Sequence, residues 1–146
     1  MGKSLVSVLL ALLGAVLWGL APIAGKVGLA SVDALAALAL RTLMASALIL
    51  GFVLGAGGWH YLERVPARAW LPIGVEAVLA ALVGDLAYYL ALKYGQASTV
   101  ALVMAISPLV TLASAHLLLE EPITRLQLAG AILIVVGVFL VGAQAR

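Results

Sequence analysis

The stretch RLQLAGAILIVVGVFLVGA, residues 125–143, decides the class of structure, because its only charge is the arginine at its start. A helix that crosses the hydrocarbon core of a bilayer needs about 20 mostly apolar residues. A membrane-spanning β-strand would instead alternate polar and apolar residues, and this stretch shows no such alternation. Because a helix satisfies its own backbone N–H and C=O groups in lipid, the stretch predicts a transmembrane helix.

Four more apolar segments precede this one. Together they predict five spans, at approximately residues 4–26, 33–55, 69–92, 97–119 and 125–143. The loops between them are short, and only residues 56–68 are long enough to hold a structure of their own. We therefore expect an all-α membrane protein with one five-helix domain over residues 1–146. We also expect the first segment to be a retained helix, because no A-x-A cleavage site directly follows it and four more apolar spans do.

Composition points to the same class of protein. Of the 146 residues, 66% are hydrophobic and 10% are charged, and the mean hydropathy is +1.26. A soluble domain carries roughly 45–50% apolar and about 25% charged residues. The composition thus excludes most soluble enzymes, disordered segments and nucleic-acid binders, and the small net charge of +2 points to no nucleic-acid partner.

Residues for metal or covalent chemistry are scarce. The chain has no cysteine, and its two histidines, His60 and His116, lie far apart in the sequence. No nucleophile with a matching base is recognisable. We therefore expect no metal, no cofactor, no catalytic residues and no enzymatic activity.

One acidic residue lies well inside the third predicted span. A charge at the centre of a transmembrane helix costs about 2.5–3.5 kcal/mol on insertion scales, so Asp85 needs a partner or a polar cavity. Tyr88 and Tyr89 follow it at helical spacing and share its face. That face is a candidate substrate cavity, in which desolvation would favour a protonation switch at Asp85. The alternative is an ion pair between Asp85 and a basic residue of a neighbouring helix.

Two other charges lie inside predicted spans. Glu76 precedes Asp85 by nine residues, which in a uniform helix of about 100° per residue places the two on nearly opposite faces. It is a second candidate for proton coupling, or it reaches the membrane interface. Arg41 lies eight residues into the second span. It either snorkels to the near surface or faces the cavity and holds an anionic group.

A tryptophan, a serine and two prolines complete the candidates. Trp18 lies deeper than an interfacial tryptophan should, and its ring either stacks on substrate or packs. Ser107 lies near the midplane and is assigned to the cavity, and Pro108 beside it has a cavity or hinge role. Pro108 and Pro22 each remove a helical hydrogen bond, to the carbonyls of Met104 and Trp18, so both are hinge candidates. A static kink is the alternative for each proline.

Basic residues are nearly balanced between the two sides of the membrane. One side collects Lys3, Arg64, Arg68 and Arg125, and the other collects Lys26, Arg41, Lys93 and Arg146. Excluding Arg41 and Arg146 favours a cytoplasmic N-terminus. The tally therefore leaves two alternatives open, a single topology with a modest bias or a dual topology in which copies insert both ways.

The order and spacing of several short motifs resemble the EamA-type repeat of the drug/metabolite transporter superfamily. The matching pieces are Trp18-Gly19, Lys26, Arg41, Tyr89-Leu90-Ala91-Leu92, Tyr94-Gly95, Ala97-Ser98, Ala101-Leu102, Pro108, Glu120-Glu121-Pro122, Thr124, Gln127, Gly130 and Gly137-Val138. They run through all five predicted spans, and the Glu-Glu-Pro segment with Thr124 and Gln127 is the most characteristic.

The resemblance implies a small integral membrane transporter. Many family members carry two such repeats in inverted topology, and this sequence contains one. It would then form one half of an inverted-repeat architecture and move a small polar or amphipathic metabolite, or a drug, by alternating access as an antiparallel homodimer. The alternative is a non-transporting or regulatory subunit that pairs with an oppositely oriented paralogue. We expect a bacterial or archaeal plasma (inner) membrane, with the lipid bilayer and a small-molecule substrate as partners.

Overall fold

The computed structural model describes residues 2–144, and all regular elements in that range are helical. The helices are α1 (Gly2–Leu29), α2 (Ala34–Gly55), α3 (Trp59–Glu63), α4 (Ala67–Glu76), α5 (Asp85–Tyr94), α6 (Ala97–Met104), α7 (Ser107–Leu119) and α8 (Arg125–Gln144). A π-helix, here called the π segment, joins α4 to α5 over Ala77–Gly84.

Five helical stretches within the described residues are long and apolar enough to cross a membrane. They are Leu5–Leu29, Ala34–Gly55, Ala67–Tyr94, Ala97–Leu119 and Arg125–Ala143. The prediction of an all-α membrane protein with five transmembrane helices is confirmed. The first and third stretches run two or three residues past the expected ends, and α3 occupies the one loop expected to hold structure.

The third span is not a uniform α-helix. The π segment lies at its centre, directly before Asp85. A Cβ added at Gly84 would lie 2.8 Å from the backbone oxygen of Leu79, five residues earlier, so this backbone admits only glycine there. The span also holds Pro72, within α4, so a third proline besides Pro22 and Pro108 lies inside a span. Pro72 lies within the first two turns of α4, and the helix is not interrupted there.

The fourth span is interrupted at its middle. α6 ends at Met104, two residues of turn follow, and Pro108 lies in the first turn of α7. Ala105 and Ile106 donate to carbonyls three residues back, at 3.2 Å each, which is 3₁₀ geometry. Proline suits this position because its missing N–H costs least in the first turn of a helix, and the hinge role of Pro108 stays a prediction. Pro22, in contrast, lies inside an unbroken α1 and is buried.

The chain consists of two compact units. The central unit is Ile23–Tyr94, and the flanking unit consists of the residues on either side of it. Two residues of the charge tally, the side chain of Lys3 and the whole of Arg146, lie outside the described residues.

The core of the central unit forms where α2 packs on α5. Its buried apolar residues are Leu29, Ala34, Leu38, Tyr89 and Leu92. The two helices run antiparallel, because Asp33 at the start of α2 binds Lys93 near the end of α5, while Arg41, eight residues later, binds Asp85. Asp33 and Arg41 are eight residues apart on α2, and Asp85 and Lys93 are eight residues apart on α5. One register of the two helices therefore forms both ion pairs.

Hydrogen bonds from two lysines hold the end of α5 in place. The Lys26 ammonium, at the end of α1, donates to the carbonyls of Leu92 and Lys93. The Lys93 ammonium donates to the Asp33 carboxylate at 2.9 Å and to the Val32 carbonyl at 3.2 Å. The hydrogen bond and the charge of Lys93 lower the pKa of the exposed Asp33 carboxyl. Cations suit a helix C-terminus, where carbonyls lack partners and the helix dipole is negative.

In the flanking unit, the segment between α7 and α8 is built from caps. Glu120 ends α7 in the left-handed conformation, at φ 56°, and the His116 Nδ1–H donates to the Glu121 carbonyl at 2.8 Å. Thr124 and Gln127 form a reciprocal capping box. The Thr124 N–H donates to Gln127 Oε1 at 2.8 Å, and the Gln127 N–H donates to Thr124 Oγ1 at 3.2 Å. This most characteristic motif therefore has a structural role.

We predict that Thr124→Ala destabilises the fold by about 1 kcal/mol, the usual cost of losing an N-cap. The free energy of unfolding of the purified protein in mixed micelles measures the effect. Thr124→Ser is the matched control, because serine keeps the hydroxyl that accepts from Gln127. Equal stability of Thr124→Ala and wild type, or equal losses in both variants, would contradict the assignment.

Candidate functional site

An ion pair joins two transmembrane helices inside the central unit. The Arg41 guanidinium, on α2, donates to the Asp85 carboxylate, at the first residue of α5. Both residues lie inside apolar spans, Arg41 seven residues after the start of α2 and Asp85 nine residues before the end of α5. Of the two alternatives that the sequence left open for Asp85, the structure shows the ion pair with a neighbouring helix.

The aromatic face expected around Asp85 lies beside this pair. The Arg41 guanidinium carbon is 5.5 Å from the centroid of the Tyr89 ring, within cation–π range. The Tyr88 and Tyr89 rings meet edge to face, with centroids 6.2 Å apart and planes at 69°. Tyr89 is buried and Tyr88 half-buried. We call Arg41, Asp85, Tyr88 and Tyr89 the ion-pair cluster.

The ion-pair cluster is not sealed inside the central unit. The side chain of Arg41 is 46% exposed and that of Asp85 is 27% exposed. A pair in contact is electrically neutral overall, yet each partner still holds donors or acceptors that the other does not use. The exposed parts of both charges are available to a further polar group without disruption of the helix packing.

An apolar groove runs next to the ion-pair cluster. It lies between α2 and the π segment, has a volume of about 350 Å³, and includes Thr42, the neighbour of Arg41. Its lining consists of Leu35, Leu38, Ala39, Thr42, Ala77, Ala81 and Leu82. Because the π segment forms one wall, its helical geometry sets the shape of the groove.

The remaining predicted site residues have different surroundings. Glu76 is exposed at the end of α4 and takes part in no ion pair within the described part of the chain. The π segment separates it from Asp85, and each π turn holds one residue more than an α turn. The opposite-face relation expected for Glu76 and Asp85 assumed a uniform α-helix, so that calculation was wrong.

Trp18 and Ser107 belong to the flanking unit. Trp18 is 84% exposed, so its ring is not packed within the chain. Ser107 is exposed at the start of α7, and its carbonyl accepts from the Thr111 hydroxyl at 3.3 Å. Pro108 follows it directly. A role for these residues in a cavity remains a prediction.

Three features of the site were missed from the sequence. The π segment had only one local signal, a glycine at the end of an Ala/Val/Leu run and just before an acid. The hydrogen bonds of Lys26 and Lys93 at the end of α5 had a different sequence signal. Both are basic residues near helix ends, where cations are favoured. Thr42 had none beyond its place next to Arg41. Among the described residues, no group of three or more His, Asp or Glu side chains is placed to hold a metal ion.

Comparison with known proteins places the chain among transporters. The model of the EamA-like transporter family matches residues 5–143. An uncharacterized transporter in the cobO 3'region of Sinorhizobium sp is 31% identical over 130 residues, which are 89% of this chain and 92% of that protein. The uncharacterized transporter YvbV of Bacillus subtilis (strain 168) is 31% identical over 148 residues, which cover 98% of this chain.

The second relative is much longer, and the match covers 47% of it, so the chain spans about half of its length. An uncharacterized protein of Methanocaldococcus jannaschii is 39% identical over 66 residues, covering 45% of this chain and 47% of that protein. No solved structure matches the chain. The resemblance predicted from the motifs is confirmed. On the family match and the five apolar helices, this chain is a multi-pass integral membrane protein that belongs to the EamA-like transporter family.

Proposed function

We propose that the chain moves a small polar or amphipathic metabolite, or a drug, across the membrane by alternating access, and that it works as an antiparallel homodimer. The observation that carries this proposal is the ion pair of Arg41 and Asp85, which lies inside two apolar spans and is partly exposed. The Asp33–Lys93 pair at the end of the same two helices serves for comparison, because it lies at the loop, where charges are ordinary.

The exposed part of the ion pair needs a polar environment. Intramembrane charges cost free energy, and they are found facing bundle interiors or water-filled cavities and mark substrate and ion pathways. If the exposed surfaces of Arg41 and Asp85 faced lipid, their unused donors and acceptors would remain unsatisfied. A cavity that admits water and a polar substrate satisfies them, and it explains why the pair is not replaced by apolar residues.

The tyrosines supply the amphipathic part of the site. Tyr89 gives a ring face under the guanidinium, and Tyr88 adds a second ring and a hydroxyl. Pockets for small molecules combine aromatic surface with a few polar groups that orient the ligand. In the flanking unit, Trp18, which is 84% exposed, and Ser107 are the proposed cavity residues.

A second copy in the opposite orientation completes the proposal. Inverted repeats build a site near the midplane, between halves that face opposite ways. The chain matches about half of its Bacillus relative, and its basic residues are nearly balanced across the membrane. Two copies of opposite orientation would therefore supply both halves. The bacterial relatives support a location in a bacterial or archaeal plasma membrane.

Alternating access needs parts of the bundle that move. The divided fourth span at Pro108 and the proline inside α1 at Pro22 are the proposed hinges. Discontinuous spans recur at the sites of transporters, where two half-helices reorient about a break. Protonation of Asp85, with Glu76 as the second acid, is the proposed coupling. A neutral Asp85 would release Arg41 and let the ion-pair cluster change partners.

Uptake by the purified protein tests the proposal. The wild type is reconstituted into liposomes and supplied with a panel of labelled amino acids, other metabolites and drugs, with and without a pH gradient. We expect uptake of at least one compound, and loss of that uptake in Asp85→Asn, because the ion pair is removed.

Asp33→Asn is the matched control and should transport as the wild type does, since it removes an Asp–basic pair at the ends of the same two helices. Uptake that survives in Asp85→Asn would contradict the proposed role of the pair. A wild type that is silent alone and active only with a paralogue would overturn the homodimer and identify a partner subunit.

The orientation of the copies is testable by labelling, because the chain has no native cysteine. Single cysteines replace Trp59, on α3 between the second and third spans, and Tyr94, the last residue of the third span. Both sites are exposed, at 54% and 83%. With two orientations, a membrane-impermeant thiol reagent labels a fraction of each site from each side of the membrane. Labelling of each site from one side only would contradict the antiparallel pair.

A further inference from the structure

The π segment is a feature that the transport site by itself does not explain. In an α-helix each N–H binds the carbonyl four residues back, whereas in a π turn it binds the carbonyl five residues back. A π turn thus takes in one extra residue, which corresponds to about 100° of rotation along an α-helix. The π segment therefore sets which face α4 presents when α5 is fixed.

The sequence of the π segment is compatible with both α-helical and π-helical geometry. Its residues, AVLAALVG, include three alanines and two leucines, which are the best α-helix formers. Every side chain in the segment is exposed, so no internal packing holds the π form in place. The π form depends on Gly84, where a Cβ would lie 2.8 Å from the Leu79 oxygen. Short π segments are frequent at functional sites.

The two helices that flank the π segment are held with different firmness. α5 is fixed by the Asp85 ion pair, by the buried Tyr89 and Leu92, and by the lysines at its end. α4 has no buried residue and no ion pair within the described part of the chain. A change of geometry in the π segment would therefore turn α4 and leave α5 in its place.

Such a turn of α4 would change the lining of the groove beside Arg41. Ala77 and Ala81 of the π segment line it together with Leu38 and Thr42 of α2. When α4 turns about the helix axis, the residue that lines the groove at position 77 is exchanged for its neighbour in the sequence. Glu76, the last residue of α4, moves around the axis in the same step.

We propose that the π segment is a register switch of the third span. In the π form Ala77 lines the groove, and in the α form a neighbouring residue takes its place, while the Arg41–Asp85 pair is kept in both. The switch would change the wall of the groove next to the ion-pair cluster without breaking the packing of α2 on α5. It holds for any transported molecule, because it rests on the helix geometry alone.

Disulfide cross-linking from α2 tests the switch in the full chain. Thr42→Cys is combined with a single cysteine at each of residues 75–79, and oxidation in native membranes gives a cross-linking profile. One register gives one maximum, because adjacent residues of a helix lie about 100° apart. Two registers give two maxima at adjacent positions, and this is the result we expect for the wild type.

Gly84→Ala should remove the π form and reduce the profile to a single maximum displaced from residue 77. Gly74→Ala is the matched control in the same span, because a Cβ there meets nothing within 4 Å, and it should keep both maxima. A parallel scan of residues 87–91 against Leu38→Cys should give one maximum in every background, since α5 does not turn.

A single wild-type maximum at residue 77 would overturn the proposal, and so would a two-maximum profile that Gly84→Ala leaves unchanged. If Gly84→Ala does not accumulate in the membrane, the number of maxima in the wild-type scan still tests the proposal. Deletion of Ala80 then serves as the second variant, because it removes the extra residue of a π turn directly and should again leave one maximum.

Discussion

The contact between Arg41 and Asp85 is the constraint on which the central unit depends. Two charges inside apolar spans must find each other, and this requirement sets the register of α2 against α5. The Asp33–Lys93 pair repeats the same spacing at the end of the helices. Between the two pairs lie the buried core residues of both helices, among them Leu38, Tyr89 and Leu92. The two ion pairs therefore set the register of two apolar helices that could otherwise pack in other registers.

Apolar residues do not discriminate between registers in a membrane, since lipid is as good an environment for leucine as another helix is. The chain buries only a few of its residues, and most large apolar side chains of the described spans remain exposed. Polar contacts and caps accordingly take over much of the work of specifying structure. Lys26 on the end of α5 and the capping box of Thr124 and Gln127 are two instances.

Much of this structure follows from the sequence, because its signals are local. Five apolar stretches predict five helices, and the spacing of Asp85, Tyr88 and Tyr89 predicts their common face. What failed depends on backbone geometry. The uniform rotation assumed between Glu76 and Asp85 fails because a π turn leaves almost no mark in composition. The break between α6 and α7 lies just before Pro108, but its 3₁₀ hydrogen bonds involve Ala105 and Ile106, whose composition does not mark a turn. The partner of Asp85 was a matter of tertiary packing, which one sequence leaves open.

The central claim is that the ion pair is required for transport as well as for the register of α2 on α5, and a double replacement tests the transport role most directly. Replacing a buried ion pair by apolar residues of similar volume is often neutral or stabilising, whereas removing one partner is costly. Arg41→Met with Asp85→Leu is compared with each single variant by the free energy of unfolding in micelles and by uptake in liposomes. We expect a double variant at least as stable as either single variant and without uptake. A double variant that transports like the wild type would contradict the claim.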